Sequence, residues 1–94
     1  MILVRDVFQA KYGQGDALVA LFKAFPIDMP NKFRILTDAS GPFFMVVTEL
    51  VVESLAAYER GLPQEFDNPA FGPWFEKMMM LVESGRREFY HIID

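Results

Sequence analysis

The sequence predicts an α+β fold, a four-stranded antiparallel sheet with helices packed on one face. Three observations carry this expectation. Segments rich in β-branched and aromatic residues stand near both ends of the chain and on either side of "ASGP". Between the outer and middle segments lie stretches whose apolar residues recur at helical spacing. The two middle segments are so close in sequence that a hairpin is the natural connection between them. The resulting order is β-α-β-β-α-β, with the second helical region split in two. With right-handed crossovers this order folds into the ferredoxin-like plait.

Each element has its own signal. In "ILVRDVFQ", Ile2, Val4 and Phe8 fall on one face and Arg5 and Gln9 on the other, which predicts a first strand. "KYGQGD" supplies glycines for a reversal, with Asp16 as the expected helix N-cap. Leu18, Leu21, Phe22 and Phe25 then form a helical stripe that Pro26 and Pro30 are expected to end. "KFRILTD" predicts a second strand, with Phe33, Ile35 and Thr37 opposite Arg34, Leu36 and Asp38. "FFMVVTELVV" predicts a third, apolar on both faces except at Thr48 and Glu49, as suits the middle of a covered sheet.

Ser54 is the expected N-cap of "LAAYER", where Leu55, Tyr58 and Leu62 share a face and Gly61 and Pro63 mark the end. "QEFDNP" then reads as an irregular connector. Asn68-Pro69 or Gly72-Pro73 opens the next helix, lined on one side by Phe71, Trp74, Phe75, Met78, Leu81 and Val82. Gly85 is placed as the glycine that ends it, and "RREFYHII" as the fourth strand.

Bulk properties narrow the function. A chain of 94 residues predicts a single domain spanning 1–94. Chains of this size bury only roughly 60–65% of their unfolded surface. With 52% hydrophobic residues and ten Phe, the chain carries more apolar material than a small monomer readily hides. Helices cover one sheet face only, yet Leu3, Val7 and either parity of the third strand leave apolar side chains for the other. At ~25 cal/mol per Å2, wetting several of them forgoes several kcal/mol, a large share of a small domain's ~5–15 kcal/mol. A twin sheet in a C2 contact is the expected cover, giving a homodimer through sheet faces.

The chain has no cysteine, which excludes disulfides, iron–sulfur clusters and thiolate zinc sites. Together with an N-terminus that reads as a strand and not as a signal peptide, this predicts a cytoplasmic protein. Apolar runs break well short of the ~20 residues that a membrane span needs, so no membrane association is expected. A net charge of −4 is the wrong sign for a phosphate-backbone binder. "YGQG" lacks the glycine spacing of a phosphate loop, and an RNA-recognition plait would need a basic sheet surface. No nucleic acid partner is expected.

At this point the chain resembles a known group. The strand and helix order, "ILVRDVFQAKYGQGDALVALFKAF", "LTDASGPFFMVVTELVVESLAAYE" and "VESGRREFYHII" are similar in pattern to the dimeric α/β-barrel superfamily, and within it to NIPSNAP-like domains. The resemblance covers nearly the whole chain. It implies two plaits joining their sheets into a barrel-like dimer, with room for a cavity between sheet and helices in each protomer. The superfamily includes antibiotic-biosynthesis monooxygenases, haem-degrading monooxygenases, isomerases and members without an assigned activity, and fold alone does not choose among them. Haem-degrading relatives bring an Asn, a Trp and a His together near the long helix. Here Asn68 and Trp74 are present, but the histidine lies on the last strand, so that triad does not match.

The candidate ligand-pocket residues are Arg5, Glu49, Trp74, Met78, Tyr90 and His91; no catalytic residue is assigned. His91 is the single histidine, which speaks against a multi-histidine metal site; a strand-end or seam role competes with that of a haem axial ligand or a general base. Trp74 and the run Met78-Met79-Met80 suggest an apolar wall for a planar ligand. Helical spacing points the three methionines in different directions, so the run is expected mainly in the core, with one or two members on any ligand. Arg5 and Glu49 interrupt apolar strands, either as an ion pair at the dimer seam or as polar anchors of a cavity. Tyr90 and His91 are adjacent and face opposite ways, and which one points inward stays open.

The leading expectation is a homodimer that binds a small, largely apolar ligand. It includes, if the protein is an enzyme, a cofactor-independent monooxygenase-type reaction; no cofactor and no metal are expected. Such chemistry needs an easily oxidised substrate, since the chain supplies no redox group. The alternative is a non-catalytic dimerisation or regulatory module.

Overall fold

A computed structural model describes residues 1–27 and 33–93. β1 spans Ile2–Ala10, α1 Gly15–Lys23, β2 Arg34–Thr37, β3 Met45–Val52, α2 Leu55–Phe66, α3 Phe71–Leu81 and β4 Val82–His91. The sheet order is β2-β3-β1-β4, and every neighbouring pair is antiparallel. This is the α+β, ferredoxin-like arrangement that the element order predicts. Among the described residues, no helix is long and apolar enough to cross a membrane.

Register fixes the two faces. Val4 lies opposite Leu50 and Phe89, and Phe8 opposite Val46 and Gly85, so the even positions of β1 turn toward the helices. Arg5 lies opposite Glu49 and Glu88, and Val7 opposite Val47 and Arg86, on the outer face. The core sits between the sheet and α1 and α3, around the fully buried Leu18 and Val46 and the nearly buried Phe22 and Trp74. The Trp74 Nε1–H donates to the Leu21 carbonyl at 2.8 Å and fastens α3 to α1. Rings of Phe22 and Phe25 meet Trp74 at 5.5 and 4.9 Å.

Several element ends depart from the sequence expectation, each for a local reason. α1 opens at Gly15 with Gln14 as cap residue and no side-chain cap, so Asp16 lies in the first turn, where its charge suits the helix dipole. Gly15 is there because Phe44 presses on it: an added Cβ would stand 3.1 Å from that ring. Phe44 itself takes φ 61° where the chain turns into β3, so the strand starts at Met45 and not at Phe43. Pro30 and Lys32, assigned to a helix stop and to a strand start, lie outside the described residues.

Ser54 caps α2 as expected, its Oγ accepting from the Ala57 N–H at 3.1 Å. Gly61 and Pro63 do not end that helix, which runs on to Phe66 with Pro63 inside it. Proline removes one donor, but the turn beyond it still closes, because the Asp67 N–H donates to the Pro63 carbonyl. "QEF" is therefore helix and not connector. Asn68 receives the Ala70 N–H just before α3, and Pro73 lies in that helix's first turn. Gly85 is not a helix terminus: α3 passes straight into β4 at Val82, and Gly85 lies in the strand under Phe8. A Cβ there would come within 3.0 Å of the Phe8 ring and 3.2 Å of the Val7 carbonyl oxygen.

Candidate functional site

Between the helix face of the sheet and the three helices lies a cavity of about 750 Å3. Its apolar walls include Phe22 on α1 and Phe25 just beyond that helix, Leu50 on β3, and Trp74, Phe75 and Met78 on α3. These α3 residues share a face because they are spaced 1, 3 and 4 apart. Met78 is half-buried on the cavity, whereas Met79 and Met80 are 52% and 71% exposed, so the methionine run is core at one position and surface at two.

A polar cluster interrupts these walls. Asp6 on β1 and Arg87 on β4 stand opposite each other in register and point into the cavity. Arg87 donates from Nε to Asp6 Oδ1 at 2.6 Å and from Nη2 to Oδ2 at 3.1 Å, a two-pronged pair. The guanidinium also lies 5.3 Å from the centre of the Tyr58 ring on α2. Glu65, two turns further along α2, completes the group. Burial pushes the Tyr58 hydroxyl up to about 12, so it is a neutral donor across the ordinary pH range. Burial also raises the Glu65 carboxyl above its usual value, and the hydrogen bond to Asp6 raises Arg87 further. Among the described residues, no three His, Asp or Glu gather into a metal-binding set.

The outer face holds a second, separate constellation. Glu49, on β3, has a side chain only 3% exposed and accepts from Arg5 Nε at 2.7 Å and from Arg34 Nε at 2.7 Å. Burial by itself would raise the Glu49 carboxyl, but the hydrogen bonds from Arg34 and Arg5 together hold it below the usual carboxylate range. Arg5 is raised chiefly by the Glu49 hydrogen bond and lies 5.3 Å over the Tyr90 ring. Tyr90 donates to Glu88 at 3.0 Å, and Arg86 donates to Glu88 at 2.9 Å. These contacts join Arg34, Glu49, Arg5, Tyr90, Glu88 and Arg86 into a belt across all four strands.

The sheet thus divides the residues singled out from the sequence. Trp74 and Met78 line the cavity. Arg5, Glu49 and Tyr90 lie on the opposite face, because they share the other strand parity. His91 has the helix-side parity, opposite Ile2, but it is exposed at the end of β4 and is not part of the cavity lining. Asp6, Arg87, Tyr58 and Glu65 were missed. Their signal was a charge on apolar parity: Asp6 alternates with Val4 and Phe8, and Arg87 with Phe89.

Solved structures with the same arrangement have been described. An uncharacterised NIPSNAP domain protein from Burkholderia xenovorans superposes with a TM-score of 0.88 at 11% identity, covering 99% of this chain and 95% of its own. A NIPSNAP family protein from Agrobacterium tumefaciens gives 0.86 at 15% identity, over 99% of this chain and 86% of that one. The chain has the fold of NIPSNAP proteins. A protein from Chloroflexus aurantiacus, provisionally described as an antibiotic biosynthesis monooxygenase, gives 0.74 at 17% identity, over 99% and 93%. No protein-family model matches the sequence, and no curated protein matches it significantly. At these identities the likeness to NIPSNAP and monooxygenase structures is one of fold.

Proposed function

We propose that this NIPSNAP-like protein binds a small, largely apolar molecule in the helix-side cavity, and that it pairs with a second copy through the outer face of its sheet. The cavity carries the first part: its volume of about 750 Å3 falls within the range of small-molecule sites, and its largely apolar walls are broken by a few polar side chains, the charged ones gathered around Asp6 and Arg87. Leu36, more than a third exposed on the outer face beside the charged belt, supports the second part. Cofactor-independent oxygenation is the enzymatic form of this reading. The likeness to the Chloroflexus protein supports it at the level of fold.

Binding is tested with a neutral, polarity-sensitive naphthalene fluorophore. Gly61 lines the cavity, and an added Cβ there meets nothing within 4 Å. Gly61→Phe should lower dye affinity at least ten-fold without lowering the melting temperature; an unchanged affinity refutes the cavity. Pairing is tested by equilibrium sedimentation at micromolar concentration, where a clean monomer refutes the dimer.

The second reading, a non-catalytic module whose sheet pairing is its purpose, is favoured by the position of the charged belt, which lies entirely on the face away from the cavity. Glu49→Ala separates the two readings. Loss of dimer with dye binding intact in the monomer supports the cavity reading, and loss of dimer in a protein that binds no dye in either state supports the module.

A further inference from the structure

The polar cluster also states which molecules fit. We infer that the cavity selects an aromatic or polycyclic ligand whose polar end is an uncharged hydrogen-bond donor, such as a hydroxyl, and turns away the corresponding carboxylate; this rests on the proposed binding role. Among the described lining residues, the charged side chains are Asp6, Glu65 and Arg87, two carboxylates against one guanidinium. The single cation is already engaged, because Nε and Nη2 of Arg87 both donate to Asp6. An arriving carboxylate would therefore meet a neutralised pair with an acid beside it and would shed its hydration for little return. Asp6, in contrast, retains acceptor capacity, since an ionised carboxylate offers about four lone-pair sites and Arg87 occupies two.

The walls set the other half of the preference. Phe71 and Phe75 stack at 5.6 Å, and Trp74 meets Phe22 and Phe25 at angles of 58° and 78°. Flat ring systems meet such surfaces face to edge as well as face to face. Burial keeps the Tyr58 hydroxyl protonated, which leaves the α2 side of the cluster able to donate to a carbonyl or ether oxygen without requiring ligand charge.

Two probes with one ring system test this: 2-naphthylmethanol and 2-naphthoate, each titrated by calorimetry into the protein at neutral pH. The alcohol should bind at least ten-fold more tightly than the acid. Asp6→Asn releases Arg87 and should at least cancel that preference by raising affinity for the carboxylate. Glu65→Gln removes a carboxylate without touching the Asp6–Arg87 pair, and should improve naphthoate binding several-fold relative to the alcohol. It also serves as the variant that keeps the fold if Asp6→Asn does not. Equal or tighter binding of naphthoate by the wild-type protein overturns the selectivity alone. No binding of either probe overturns it together with the cavity reading.

Discussion

On the outer face of the sheet, Glu49 accepts hydrogen bonds from Arg5 and Arg34 on the two flanking strands. On the helix face, Asp6 accepts both of its hydrogen bonds from Arg87 on one flanking strand, and Tyr58 and Glu65 look on from α2. The two carboxylates thus stand in opposite local balances. Glu49 is outnumbered by cations, its acidity is strengthened, and the charge is spent on tying strands together. The Asp6 cluster carries an excess of acid beside empty space. A saturated belt stabilises a surface, whereas an unsaturated one lining a cavity has capacity left for something else.

Val7 sharpens the contrast. It lies on the outer face, away from the three described helices, flanked in register by Val47 and Arg86, and is nevertheless 6% exposed. Long charged side chains already shelter part of that face in one chain, as arginine stems do when their heads reach water. A twin would add its cover at Leu36, beside the belt.

The largest effect should come from the helix side. Trp74→Ala removes a nearly buried indole, its bond to Leu21 and its contacts with Phe22 and Phe25. Urea unfolding should show a loss of about 3–5 kcal/mol; a loss under about 1 kcal/mol would mean that the cavity collapses around the gap and the two faces are less distinct than described.

On the outer face, Glu49→Gln should cost less, about 2 kcal/mol, since hydrogen bonds to charged groups contribute roughly 1.5–3 kcal/mol and the partner arginines remain open to water. The pH dependence has a definite sign. The folded protein holds Glu49 below its ordinary value of 4.5, so its contribution is present above that pH and is lost as the pH falls through the folded value. Unfolding curves between pH 6 and 3 should therefore be flatter for the glutamine variant. Parallel curves would remove Glu49 as the acid-sensitive element.

The smallest effect is spectroscopic. Tyr58 should ionise only near pH 12. Because its folded value is raised, Tyr58's stabilising share is intact below about pH 10 and is lost as the pH climbs toward 12. Subtracting the ultraviolet titration of Tyr58→Phe from that of the wild type isolates the transition; a midpoint near 10 would show that the α2 side of the cavity is wet.

Much of the fold was legible because its signals are local. The period-two pattern of β1, the stripe of Leu18 and Phe22 and the Ser54 cap each act within a few residues, and all hold in the structure. Gly61, Pro63 and Gly85 were misplaced because glycine and proline carry meanings that packing decides between. A proline inside α2 is tolerated where the next turn still closes, and Gly85 makes room for Phe8, a residue distant in sequence.

The site was half legible for the same reason. Trp74 and Met78 announce themselves by helical spacing. Asp6 and Arg87 stand 81 positions apart, and only the β1–β4 register makes them a pair.

The order of residues along the chain determined which segments alternate, which coil and which side chains share a face, because those properties depend on neighbours a few positions away. The tertiary structure alone decided which of those faces looks into the cavity and which charge meets which partner. Strand parity allows two assignments, and only the packing of distant helices against one side of the sheet removes one of them.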